Sequence, residues 1–181
     1  MAHYYFKENF FNASKSAIDV FDANDEAVYT LQLFYTSTAQ ETMAYLGNTK
    51  QNFEITDGND TYRVLQERTI SGAIKTPFKK VWQVEKNGES IGEFRSKIGL
   101  KPTMLFEGNK GDVLKYQSGF FSRSVQVTDD HHNLMQTKSE RFKLASRHDI
   151  DIETETYHPA MLILLFQVFY EYQEQQRKNS N

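Results

Sequence analysis

The stretch His158-Pro-Ala-Met-Leu-Ile-Leu-Leu-Phe-Gln-Val-Phe-Tyr170 carries one polar side chain after its proline, Gln167. Pro159 suits the first turn of a helix, where a missing N–H is not needed. The next residues, Glu171-Tyr-Gln-Glu-Gln-Gln-Arg-Lys178, continue in polar sequence. They end in Arg177 and Lys178, where cations favour the helix dipole. A helix over 159–176 therefore has no solvent face in its first half. Such a helix lies in a core or crosses a membrane. A span needs about 20 apolar residues, more than the run from 160 to 170 supplies. The helix is expected to be buried.

Burying every face of one helix requires structure all around it, and the preceding 157 residues read as strands. Ile18-Asp-Val-Phe21, Phe53-Glu-Ile-Thr56, Trp82-Gln-Val-Glu85 and Val125-Gln-Val-Thr128 each alternate apolar and polar. That is the period of a half-buried strand. Each ends in turn residues: Asp22-Ala-Asn-Asp25, Asp57-Gly-Asn-Asp60, Lys86-Asn-Gly-Glu89 and Asp129-Asp-His-His132. Asn, Asp and Gly tolerate the positive φ of tight hairpins. Return strands follow at 27–34, 61–69, 90–98 and 134–142, and further strands are expected at 4–11, 103–107, 113–117 and 148–157. The hairpin spacing is too irregular for a propeller or solenoid. The fold class is mainly β: a closed antiparallel barrel of about twelve strands over residues 3–157, around a central hydrophobic helix. That helix would be about 27 Å long, matching strands of seven or eight residues.

The 181 residues form one domain, 1–181, with a short polar tail after the helix. The chain is 39% apolar and holds 14 Phe, 10 Tyr and 1 Trp, which excludes a disordered chain. It has no cysteine, which excludes a disulfide scaffold, a thiolate zinc site and a cysteine nucleophile and fits a reducing compartment. The start, Met1-Ala-His-Tyr-Tyr-Phe-Lys-Glu, has no basic region followed by an apolar one, so no signal peptide is expected. There is no Gly-x-Ser-x-Gly elbow and no glycine-rich phosphate loop. Nothing in the sequence supports an enzyme or calls for a cofactor.

The repeated hairpins, as in Phe53-Glu-Ile-Thr-Asp-Gly-Asn-Asp-Thr-Tyr-Arg-Val, and the ending Asp149-Ile-Asp-Ile-Glu-Thr-Glu-Thr-Tyr-His-Pro leading into Met161-Leu-Ile-Leu-Leu-Phe carry a resemblance. Over essentially its whole length the chain resembles the tubby C-terminal-like superfamily, which includes plant LURP-one-related proteins and phospholipid scramblases. It is most similar to the small single-domain bacterial branch. The resemblance implies a twelve-stranded barrel threaded by the C-terminal helix, with no universal catalytic motif. Tubby proteins bind phosphoinositides through basic residues on the outside of the barrel. The cysteine-rich and membrane-anchoring features of scramblases are absent here, so scrambling is not expected.

Charge is unevenly distributed. Residues 1–62 carry 3 Lys/Arg against 9 Asp/Glu, and residues 63–101 carry 9 against 4. A basic middle in an acidic chain hints at an anionic partner. Lys75, Lys79, Lys80, Arg95, Lys97 and Lys101 are the candidate phosphate-binding cations, with Phe78 beside Pro77 as a wedge at the membrane interface. The plainer reading is a set of solvated strands and loops. Nucleic acid is not expected, because the net charge is −3 and no recognition helix is visible. Asp129, Asp130, His131 and His132 are metal-ligand types, but they sit in a turn that favours Asp anyway, and no metal site is expected. Asp149, Asp151, Glu153 and Glu155 are read as one solvated strand face, with Arg141 and Lys143 across the hairpin. Gln167 is expected to bond to the barrel wall. The leading expectation is a non-enzymatic binding protein, cytoplasmic and peripheral on the inner membrane face, docking on anionic phospholipid head groups. The alternative is a protein-interaction or scaffold module with no lipid role.

Overall fold

A computed structural model of the chain describes residues 1–9, 16–37, 52–66, 80–97, 99, 101–119, 122–141 and 145–179. The strands are β1 (Ala2–Asn9), β2 (Ile18–Asp22), β3 (Ala27–Phe34), β4 (Asn52–Thr56), β5 (Thr61–Gln66) and β6 (Val81–Lys86). Then follow β7 (Glu89–Lys97), β8 (Thr103–Gly108), β9 (Val113–Ser118), β10 (Ser124–Thr128), β11 (Asn133–Arg141) and β12 (Ala145–Ile152). The helix α1 (Pro159–Asn179) follows, running three residues past the 176 read from sequence. Neighbours in sequence are antiparallel neighbours in space, and β1 pairs with both β2 and β12, so the meander closes into a barrel. The closing pair is in register from Ala2↔Ile152 to Asn9↔Ala145.

The barrel closes around α1. Every residue from Ala160 to Tyr170 is buried. The alternating strand positions meet it from the inside: Phe6, Ile55, Val64, Val84, Phe94, Phe106, Tyr116 and Val127 among them. This is the arrangement that an all-round apolar helix demands. The Tyr116 hydroxyl, fully buried, donates to the Leu162 carbonyl at 3.3 Å. Gln167 donates from Nε2 to Glu8 Oε1 on β1 at 2.9 Å, the expected bond to the wall.

Three hairpins share one device. The carboxylates of Asp22, Asp57 and Asp129 each accept two backbone N–H groups from the turn that follows, at 2.6–3.0 Å. Those bonds hold all three carboxyl groups below their usual pKa. The β6–β7 hairpin instead places Asn87 and Gly88 at φ 52° and 85°, the left-handed region that a two-residue turn needs.

The two ends of the barrel differ. Short turns rim the end where α1 enters, and there His158 stacks on Tyr62 with ring centroids 5.4 Å apart. At the opposite rim lie the strand ends that the longest connections, 10–17, 35–51 and 67–80, join in sequence. There the second half of α1 is tied down: Gln173 Nε2 donates to Ser118 Oγ, and Arg177 to the Ser122 carbonyl at 3.2 Å.

One sequence expectation is corrected. The last strand ends at Ile152 and not at Tyr157. The Glu153 N–H still bonds the Leu134 carbonyl, but β11 begins there and among the described residues no partner backbone continues the ladder. Glu153 and Glu155 therefore do not extend the strand face of Asp149 and Asp151. Those two aspartates are partnered by Arg147, at 2.9 Å from Asp149, and by His3, at 2.8 Å from Asp151. Arg141 faces Ser146 in register, and Lys143 lies outside the described residues.

Gly92 marks a close approach of strands. It lies inside β7 opposite Gly108 of β8. A Cβ there would overlap the Glu107 carbonyl oxygen and meet Phe106 Cε2 at 2.8 Å and the Gly108 Cα at 2.9 Å. Backbone cannot give way as a flexible side chain does. Gly92→Ala is expected to lower stability by about 3 kcal/mol, the upper part of the range for overpacking, as read by urea unfolding. An unchanged unfolding midpoint would refute the close fit.

Candidate functional site

The cations singled out in the sequence divide into three kinds. Lys75, Lys79 and the aromatic Phe78 lie outside the described residues. Lys80 and Arg95 have partners. The Lys80 backbone bonds Ser96 in both directions, at 2.9 and 3.0 Å. Its Nζ donates to Gln175 at 2.7 Å and sits 5.8 Å from the Tyr172 ring centroid. Burial lowers the Lys80 pKa, because a half-buried ammonium loses hydration. Arg95 points outward from β7 and pairs with Glu107 of β8. Lys97 and Lys101 are exposed and make no ion pair among the described residues. Lys80, Lys97 and Lys101 all stand at the long-connection rim, where β6 starts and β7 ends.

Beside Lys101 a cleft of about 270 Å³ opens on the outer face of β9, β10 and β11. Gln117, Gln126 and Gln136 line its floor, with Ser122, Ser124 and Gly119 along its rim side. The three glutamines stand in one lateral row: Gln117 is in register with Gln126, and Gln126 with Gln136. Adjacent strands lie about 4.8 Å apart, so the three side chains stand side by side on neighbouring strands. Gln117 Nε2 donates to Thr103 Oγ1 at 3.1 Å. Ser122 is held locally, its Oγ accepting the Ser124 N–H at 3.0 Å. Sequence reasoning missed this row. Three lone glutamines at residues 117, 126 and 136 carry no local signal, because only strand register brings them together.

A second polar group lies inside the barrel. His148 on β12 is fully buried, its ring centroid 4.5 Å from Tyr170, 4.8 Å from Phe6 and 5.4 Å from Phe166. Its Nδ1 is 2.8 Å from Ser139 Oγ and its Nε2 is 3.4 Å from Glu8 Oε2. Desolvation lowers its pKa to about 4, against the opposing pull of Glu171, Asp149 and Glu174. A serine, a histidine and a glutamate thus lie in a row, but both Ser139 and His148 are sealed from solvent. The arrangement ties β1, β11 and β12 together beside the helix.

Asp129 and His132 approach to 3.5 Å in the β10–β11 turn. Among the described residues no three His, Asp or Glu side chains converge as metal ligands would. No helix of the described residues is long and apolar enough to cross a membrane.

Neither a curated protein nor a solved structure gives a significant match to this chain. A family model does: the Tubby C-terminal like domain matches residues 4–172, from the start of β1 into the second half of α1. That family is known for lipid and phosphoinositide binding and is not a family of enzymes. The twelve-stranded closed barrel, its buried helix and the match over nearly the full length agree, and the chain belongs to the Tubby C-terminal-like domain family.

Proposed function

We propose that this protein is a non-enzymatic binding module that docks peripherally on anionic phospholipid head groups, with the long-connection rim toward the membrane. The observation that carries this reading is the pair Lys97 and Lys101, exposed at that rim without a carboxylate partner among the described residues. Lys75 and Lys79 lie in sequence between β5 and β6, and β5 ends and β6 begins at this same end of the barrel. Each lysine near an anionic surface contributes about 1 kcal/mol. Membership of a lipid-binding family supports the same reading.

A protein-interaction surface has less support. Among the described residues the large hydrophobic side chains left exposed are Met1 and Val113, far short of the contiguous apolar patch that such surfaces present.

Flotation with vesicles tests the proposal. The protein should bind vesicles containing anionic lipid and not neutral ones. Binding should weaken from low to physiological salt, because screening acts over about 8 Å there. Lys97→Gln/Lys101→Gln should weaken binding about 30-fold, the effect of two charges at about 1 kcal/mol each. Lys75→Gln/Lys79→Gln measures the contribution of the β5–β6 connection separately. Equal binding to neutral and anionic vesicles, or none to either, would refute the reading.

A further inference from the structure

The cleft on β9–β11 is not built like a site for a highly phosphorylated ligand. Its floor offers amides and its rim hydroxyls, and among the described residues Lys101 is the one cation in its lining. The exposed side chains of Gln126 and Gln136 make no hydrogen bond among the described residues, so each amide presents both an N–H donor and a carbonyl acceptor. A phosphate can only accept from such a surface at neutral pH. A hydroxyl can donate and accept, and is the better partner for an amide.

The row is also graded in charge. Read across the strands it runs Lys97, Thr103, Gln117, Gln126, Gln136, Asp151. One end is cationic. The other ends on the Asp151 carboxylate, already bonded to His3 at 2.8 Å. An anionic group is attracted at the Lys97–Lys101 end and repelled at the Asp151 end. At about 270 Å³ the cleft is smaller than the ~300–1,000 Å³ typical of drug-sized ligands, which suits a head group and not an acyl chain.

We infer that this cleft recognises a phosphodiester bearing free hydroxyl groups, with its single negative charge at Lys101 and its hydroxyls along Gln126 and Gln136. A glycerol-type phospholipid head group has that chemistry. The inference rests on the proposed docking at anionic lipid and adds selectivity among lipids of equal charge. Lysines at the rim draw the protein to any anionic surface, and the amide row distinguishes which head group stays.

The test compares vesicles of phosphatidylglycerol and of phosphatidylserine at the same mole fraction, diluted in phosphatidylcholine. Both carry one net negative charge, but only the first presents a diol. The wild type should bind phosphatidylglycerol vesicles about tenfold more tightly, the gain expected of one or two net hydrogen bonds. Gln126→Ala/Gln136→Ala should abolish that preference and keep the salt-sensitive attraction to both. Equal binding of the two lipids by the wild type, or a preference that survives in the variant, overturns the inference while the membrane docking stands. If neither vesicle binds, the docking reading fails, and soluble glycerophosphoglycerol decides the cleft. Shifts in the side-chain amide NMR signals of Gln126 and Gln136 support a site for the free phosphodiester, and unshifted signals overturn it.

Discussion

A chain ending at Tyr157 does not form the barrel. The truncation removes eleven consecutive buried residues, Ala160 to Tyr170, around which all twelve strands close. Met161, Leu162, Ile163, Leu164, Leu165, Phe166, Val168 and Phe169 are each 6% exposed or less. At about 1.5–3 kcal/mol per fully buried apolar side chain, the eight together contribute on the order of 12–24 kcal/mol as an upper estimate. That matches or exceeds the ~5–15 kcal/mol net stability of a typical domain. The strands cannot compensate by collapsing inward, because a closed twelve-stranded wall has a diameter set by strand number and tilt. The lost side chains would leave a lumen lined by Phe6, Phe94, Phe106 and Tyr116 open to water. The expected result is a fragment without a cooperative urea or thermal transition. A fragment 1–157 that unfolds cooperatively would show that the helix is an accessory and not the core.

Acid weakens the fold through His148 at a higher pH than through the hairpin residues Asp22, Asp57 and Asp129. Its ordinary pKa of 6.5 falls to about 4 in the folded protein, first because the ring is fully buried. A base with a depressed folded pKa binds its proton more readily in the unfolded chain. Its contribution to stability is therefore fully present above pH 6.5, declines as the pH falls through the window between 6.5 and 4, and changes no further below it. The shift corresponds to about 3 kcal/mol lost between pH 7 and 4. Asp22, Asp57 and Asp129 act lower. Their depressed pKa values add stability that is present above about 3.8 and lost as the pH falls further. Urea unfolding at pH 7 and 4.5 separates the two windows. In His148→Phe combined with Ser139→Ala, which leaves no hydroxyl stranded beside the ring, the decline between pH 6.5 and 4.5 should largely disappear. An equal decline in variant and wild type would assign the acid sensitivity to other groups.

Much of the fold is legible in the sequence because the decisive signals are local. Gln167 alone among apolar residues fixes α1 as buried. Asp22, Asp57 and Asp129 mark hairpins by a side-chain-to-backbone bond that spans four residues or fewer. What escapes the sequence depends on partners far along the chain. The acidic alternation of Asp149, Asp151, Glu153 and Glu155 runs past the end of β12, since period two says nothing about where β11 stops offering backbone. Lys80 reads as a free cation until Gln175, 95 residues later, is folded against it. Arg95 and Glu107 meet across β7 and β8. The glutamine row is the extreme case, because its members come from three strands and acquire meaning only through register.

The order of the elements has a consequence for how the protein is made. Every strand precedes the helix in the chain, and the barrel has nothing to close around until residues 160–170 have left the ribosome. At about 5–20 residues per second, synthesis of the first 152 residues takes roughly 8–30 s. Through that time the growing chain presents alternating apolar strands without their common partner, and β1 waits for β12. Many proteins gain native structure from the N-terminal side as they emerge. This one must postpone it, because the apolar faces of its strands find their common partner in the helix that follows them all.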